Sequence, residues 1–260
     1  MKKRRLAAGS ALIVLLGWLL PPAAQAQPEA APPVIEPVVL EEIPHDPGAF
    51  TQGFEIAGSA LYEGTGLAGE SQLRVLDPDS GTVLRSAAVP NDYFAEGITV
   101  VGSRIWQLTW RDGVAVEWDA GALTPIREVP LGGEGWGLCF DGDRLIRSDG
   151  SNRLHFHDPA DMAETGVVDV TQQGRALNGL NELECVGGQV WANLWPSDRI
   201  VRIDPGTGAV DLVVNARVLR ERGIPATAQV LNGIAHVQGD EFLLTGKDWP
   251  KTFRVRLDAA

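Results

Sequence analysis

Gln52-Gly53-Phe54, Glu96-Gly97-Ile98, Trp136-Gly137-Leu138, Asn181-Glu182-Leu183 and Asn232-Gly233-Ile234 are five copies of one phrase, set 44, 40, 45 and 51 residues apart. Each opens on a polar or aromatic residue, usually follows it with glycine, and runs on as apolar alternation into a tight turn. The turns are Ala57-Gly58-Ser59, Val101-Gly102-Ser103, Asp141-Gly142-Asp143, Val186-Gly187-Gly188 and Gln238-Gly239-Asp240. Period-two alternation broken by a glycine turn predicts a hairpin. After the hairpin comes a third strand, ending in Asp-Pro at Asp77-Pro78, Asp158-Pro159 and Asp204-Pro205, and then a fourth. Four short strands in a unit of about 45 residues describe a propeller blade, whose apolar faces only neighbouring units can cover.

The fifth copy runs out after its third strand, near residues 251–257, while residues 38–44 precede the first copy just as 82–90 precede the second. An N-terminal strand therefore completes the last blade and hides its edge. The expected fold is all-β, a five-bladed β-propeller over residues 38–260. Residues 215–223 break the pattern and predict a short Asn-capped helix between blades four and five.

Ahead of the propeller, Lys2, Lys3, Arg4 and Arg5 lead into an apolar run over 6–20 that ends at Ala24-Gln25-Ala26. Basic start, short apolar stretch and small-x-small ending predict a cleavable secretory signal over 1–26, with a mature chain beginning at Gln27. The apolar run is about 15 residues against the roughly 20 that span a bilayer, so no stable membrane association is expected and the address is periplasmic or secreted. Residues 27–37, rich in Pro and Ala, read as a flexible leader. Cleavage would remove four basic residues and no acidic one, moving the formal charge from −12 to −16, which makes nucleic acid a poor partner. Cys139 and Cys185 can pair in an oxidising compartment, although nothing in the sequence brings them together. A closed propeller predicts a monomer.

The equivalent positions of the repeat place Gln52, Glu96, Trp136, Asn181 and Asn232 at the start of each innermost strand, ringing one mouth of the central channel. A carboxylate and three carboxamides are costly to desolvate there unless they are used, or bond between blades as Asn232 can.

The same residues belong to a longer series of segments. Phe50-Thr51-Gln52-Gly53, the stretch 66–74, Phe94-Ala95-Glu96-Gly97-Ile98-Thr99, Leu108-Thr109-Trp110, Glu134-Gly135-Trp136-Gly137-Leu138, Ser148-Asp149-Gly150-Ser151, Leu180-Asn181-Glu182-Leu183-Glu184, Ala192-Asn193, the stretch 230–235 and Thr245-Gly246-Lys247-Asp248-Trp249-Pro250 follow in order at blade-like spacing. Together they resemble the plant and bacterial glutaminyl-peptide cyclotransferases, which need no metal, and not the zinc-dependent animal type. The resemblance runs from His45 to Arg256 and departs from the family's usual Ser, Gly and Thr at Gly64, Ala95 and Cys139. It implies closure of N-terminal glutamine of peptides or proteins to pyroglutamate with release of ammonia, and no cofactor. It points to Glu96, Lys247, Gln52 and Asn181 as catalytic residues, and to Phe50, Phe94, Trp110, Trp136 and Trp195 as the substrate pocket.

Such a cyclisation needs an α-amine, of ordinary pKa near 7.7–8.0, to lose a proton and attack its own side-chain amide carbon. Because the step is intramolecular, positioning contributes much of the rate. What remains is a group to carry the proton from amine to departing ammonia, which Glu96 suits, and donors for the oxyanion, for which Gln52, Asn181 and Lys247 are candidates. Trp106, Trp118 and Trp191 read as core and Trp249 as either core or pocket. His155 and His157 share a strand face but show no third ligand for a metal. Two rivals stand beside the cyclase: a calcium-dependent propeller hydrolase, which needs several channel carboxylates where the ring offers only Glu96, and a non-catalytic peptide- or sugar-binding propeller, which needs neither Glu96 nor Lys247.

Overall fold

The structure, a computed structural model, describes residues 30–90 and 92–258, so the export signal expected over 1–26 lies outside the described residues. Five four-stranded antiparallel blades surround a channel. Blade one is Thr51–Ala57, Ala60–Thr65, Gln72–Leu76 and Val83–Ala88, from the channel outward. Blade two is Ala95–Val101, Arg104–Thr109, Val114–Asp119 and Thr124–Pro130, and blade three Leu138–Phe140, Leu145–Ser148, Arg153–His157 and Glu164–Asp169. Blade four is Leu180–Val186, Gln189–Leu194, Arg199–Ile203 and Val210–Asn215. Blade five takes Leu231–Gln238, Glu241–Gly246 and Lys251–Arg256 from the C-terminal end and Val38–Pro44 from the N-terminal end, with Val38 opposite Arg256 and Pro44 opposite Lys251.

The glycine of the repeated phrase has a steric reason. A Cβ on Gly53 would stand 2.5 Å from Ile98 N, one on Gly97 2.6 Å from Trp136 O, and one on Gly137 2.0 Å from Asn181 O. Neighbouring innermost strands thus meet backbone to backbone, and a side chain at these places would push the blades apart. The fourth copy carries Glu182 instead of glycine, and its side chain crosses the channel. Its Oε1 accepts from Phe54 N of blade one at 3.2 Å and its Oε2 from Ile234 N of blade five at 2.9 Å.

Between blades the core is apolar. Trp191, Leu212, Val214, Leu231, Phe242 and Trp249 are buried together between blades four and five, and Trp118 and Trp106 are buried around blade two. Trp249 is core: it is buried and its Nε1–H donates to Gln229 O at 2.8 Å. The ring closure is reinforced by His45, buried just past the N-terminal strand. Its Nδ1 donates to Trp249 O at 2.8 Å and its Nε2 to Glu63 Oε1 at 2.9 Å. Both ring nitrogens donate only in the imidazolium; burial opposes that charge, but the Glu63 carboxylate outweighs it and raises the His45 pKa.

Three features differ from expectation, and a fourth answers a question the sequence leaves open. Val34–Ile35, inside the stretch read as a flexible leader, pairs parallel with the outer strand of blade four, because that strand's edge offers free backbone groups. The insertion after blade four is a 3₁₀ helix, Ala216–Arg222, closed by Gly223 at φ 86°. Asn215 precedes it without a side-chain cap, and its Nδ2 donates to Glu36 Oε1 at 3.3 Å. A two-stranded hairpin, Thr171–Gln172 with Arg175–Ala176, joins blades three and four. Cys139 and Cys185, on the innermost strands of those blades, form a disulfide with Cα atoms 5.5 Å apart.

Candidate active site

Each innermost strand except that of blade three slips register at its repeated phrase: between Thr51 and Gly53, Ala95 and Ile98, Leu180 and Leu183, and Leu231 and Ile234. A bulge re-aims a side chain that a regular strand would point into the sheet. Gln52, Glu96, Asn181 and Asn232 each lie inside one of these slips and are all buried. Blade three carries Trp136 just before its short strand Leu138–Phe140.

All nine residues singled out from the sequence line one cavity: Phe50, Gln52, Phe94, Glu96, Trp110, Trp136, Asn181, Trp195 and Lys247. Its volume is about 180 Å³, below the roughly 300–1,000 Å³ of sites for drug-sized ligands.

Polar groups form the floor. Glu96 Oε1 accepts from Gln52 Nε2 at 3.0 Å, and Gln52 Oε1 accepts from Asn232 Nδ2 at 3.2 Å. Asn232 also donates to Thr51 O at 2.9 Å, so it bonds between blades and does not line the cavity. Gln52 thereby holds Glu96 in place. Ser148 sets Asn181: its Oγ accepts from Gly137 N and donates to Asn181 O, both at 2.7 Å. Glu96 Oε2 and Asn181 Oδ1 are buried with no hydrogen-bond partner. A buried polar atom without a partner costs about 1–3 kcal/mol, so the floor holds acceptors whose partner the fold does not provide.

Lys247 enters from blade five. The turn after Glu241–Gly246 lays the Trp249 ring on Gly246, where a Cβ would be 2.4 Å from it, and puts Asp248 at φ 62°. Lys247 is thereby turned inward, its Nζ 4.7 Å from the centroid of the Phe50 ring. Burial pushes the Glu96 pKa well above the ordinary carboxylate range; the Lys247 charge opposes this and the Glu134 charge adds to it. Burial lowers the Lys247 pKa, with Glu96 opposing. Each group is held nearer to neutrality than in water.

The walls are two aromatic groups. Phe50 meets Phe94 at 6.0 Å and Phe94 meets Trp110 at 5.6 Å, while Trp136 meets Trp195 edge to face at 5.8 Å. Trp195 is 48% exposed and forms the outer lip.

Several carboxylates here went unread. Glu134 binds the indole N–H of both Trp110 and Trp136. Glu96 is the one carboxylate among the ring positions, but below the mouth Glu182, Glu184 and Glu55 lie along the channel. They face backbone N–H groups: Glu184 Oε1 accepts from His236 N at 2.8 Å and Glu55 Oε2 from Val100 N at 3.0 Å. Among the described residues no three carboxylate, His or Cys side chains gather as a metal cage. His155 lies between Asp149 and Glu164, at 3.1 and 3.0 Å, and His157 bonds Met162 O and Arg147.

Known proteins are similar to this chain in sequence and in fold. The family model described as glutamine cyclotransferase matches residues 11–257. The glutaminyl-peptide cyclotransferase of Arabidopsis thaliana is 39% identical over 232 residues, covering 85% of this chain and 71% of that protein. The crystal structure of Myxococcus xanthus glutaminyl cyclase superposes with a TM-score of 0.81 at 37% identity, covering 87% of this chain and 98% of that one. On the family model, the 39% identical relative and the shared propeller, this chain belongs to the glutamine cyclotransferase family.

Proposed function

We propose that the chain is a glutaminyl-peptide cyclotransferase in which Glu96 carries the proton. The observation that carries this reading is a buried carboxyl with one oxygen unpartnered, on the floor of a cavity walled by aromatics. The N-terminal glutamine of a peptide or protein enters with its side-chain amide between the walls, and the rest of the chain leaves past Trp195.

The α-nitrogen attacks the side-chain amide carbon, forming the ring C–N bond and placing negative charge on the amide oxygen. Lys247 and Asn181 stabilise that oxygen, while Gln52 holds Glu96. Glu96 takes a proton from the attacking nitrogen and returns it to the amide nitrogen, which leaves as ammonia when the C–N bond breaks. The raised pKa of Glu96 suits both halves, since a carboxylate of higher pKa is a stronger base toward the attacking nitrogen and, once protonated, still gives its proton to a better base. No redox partner is consumed, and no metal is required by any step. Export to the periplasm or beyond is part of the proposal, supported by the basic-apolar N-terminus and by the Cys139–Cys185 bond, which suits an oxidising compartment. A monomer is the working state.

The test is ammonia release from dipeptides with N-terminal glutamine, with and without EDTA, for wild type and Glu96→Gln. Activity that survives EDTA and collapses in the variant is the expected result. A folded wild type inactive on every such peptide would sink the reading in favour of a binding module, and EDTA-sensitive activity would overturn the metal-free mechanism.

A further inference from the structure

Glu134 sits outside the repeated phrase, in the loop before Trp136. One of its oxygens, Oε2, accepts the Nε1–H of Trp110 at 2.9 Å and the Nε1–H of Trp136 at 3.0 Å. Trp110 ends the wall of blades one and two, and Trp136 begins the wall of blades three and four. The carboxylate is therefore a hinge pin between the two aromatic groups. Its other oxygen, Oε1, accepts from Arg111 Nε at 2.8 Å, and the Arg111 guanidinium lies 4.1 Å over the Trp110 ring. From behind, the buried Arg147 donates from Nη1 to the Glu134 carbonyl, holding the loop against blade three. Burial works against the charge, but the two indoles and Arg111 keep the Glu134 pKa below the ordinary range, so it is a carboxylate when substrate arrives.

We propose that Glu134 is a positioning residue that sets the gap between the two aromatic walls, and so the fit of the glutamine side chain, without touching the reacting atoms. An indole hydrogen-bonded at its edge cannot rotate about its ring axis, so both walls are fixed by one acceptor. The inference rests on the cyclase reading.

The geometry makes a sharp test, because both indoles use the same oxygen. Glu134→Gln keeps an acceptor for both while deleting the negative charge and the Arg111 bond; Glu134→Ala deletes the acceptor. For a misplacement of the walls by a fraction of an ångström, Glu134→Ala should raise KM about tenfold, while Glu134→Gln, which loses the same charge beside Glu96 and so changes kcat alike, stays within about threefold of wild type in KM. Trp110→Phe and Trp136→Phe keep an aromatic face but remove one N–H each, and should raise KM by about threefold apiece. They carry the test if Glu134→Ala does not fold.

A readout independent of turnover is the pair of indole N–H resonances. They should be shifted downfield in wild type and Glu134→Gln and move upfield in Glu134→Ala. Wild type inactive on glutamine peptides would refute the cyclase reading and leave these resonances to decide on Glu134. Active wild type with unchanged KM in Glu134→Ala and in both Phe variants would overturn the positioning role. So would equal KM increases in Glu134→Gln and Glu134→Ala, which would mean that charge and not the shared acceptor matters, and so would unmoved indole resonances.

Discussion

The mouth and the lower channel of this propeller both bury glutamate, and they treat it in opposite ways. Lower down, Glu182 gives both oxygens to backbone N–H groups of two other blades, and Glu184 and Glu55 each reach across to one. At the mouth, Glu96 has one oxygen held by Gln52 and the other directed at no protein group. A carboxyl whose acceptors are met ties strands together, and one left half-met in a walled cavity awaits a ligand. Burial alone does not separate the two roles, because it raises the pKa of Glu96, Glu182 and Glu184 alike.

The sharpest way to break the comparison is a matched pair of amide substitutions. Glu96→Gln should lower kcat by about 10³-fold in steady-state ammonia release, the range for a lost acid-base group, while its thermal midpoint equals or exceeds wild type because Gln52 keeps its acceptor. A drop in stability with activity intact would reverse the roles. Next in size, Lys247→Met should cost about 10²-fold in kcat/KM, as expected for one lost oxyanion donor, and should shift the acid limb of the pH–rate profile because the charge opposing the raised Glu96 pKa is gone.

Glu182→Gln is the counterpart in the lower channel. It sets an amide N–H₂ against a backbone N–H, so denaturant unfolding should show a loss of about 2 kcal/mol with kcat of the folded protein within about twofold. Smallest is a pH slope. Burial raises the Glu55 pKa to about 7, and a carboxyl raised above its unfolded value gives its full stability below pH 4.5 and loses it as pH climbs toward the folded value. Unfolding free energy should therefore fall between pH 4.5 and about 7, and Glu55→Gln should flatten that fall by up to about 1.4 kcal/mol per pH unit, one proton's worth. An unchanged slope would show that Glu55 is not the group that titrates.

The repeated phrase was legible because packing makes it so: backbone contact between innermost strands demands glycine at Gly53, Gly97 and Gly137, and the bulges beside it demand a residue worth aiming. Position in the repeat thus marked Gln52, Glu96 and Asn181 without any structure. Lys247, Phe50, Phe94, Trp110 and Trp195 lie outside the ring positions and were legible only through the resemblance, whereas Trp136 holds the ring position of blade three. Glu134 was not read, although its segment was, because a loop carboxylate carries no periodic signal and its two partners come from different blades. Glu182 looked like a lapse from the glycine rule and is the strut between three blades. The Cys139–Cys185 bond was hidden by an offset: Cys139 follows Trp136 by three residues and Cys185 follows Asn181 by four, a difference absorbed by the slip between Leu180 and Leu183. Val34–Ile35 was missed because two residues are too few to show alternation.

The strand Val38–Pro44 finds its partner, Lys251–Arg256, only after every intervening blade has been synthesised. Lys247 of blade five and Gln52 of blade one face the same cavity across that seam. A nascent chain that stops short of its last blade therefore has neither a sealed ring nor a complete set of cavity residues. Catalysis is a property of the closed ring, and each unit of activity certifies a chain that was synthesised through Arg256 and closed.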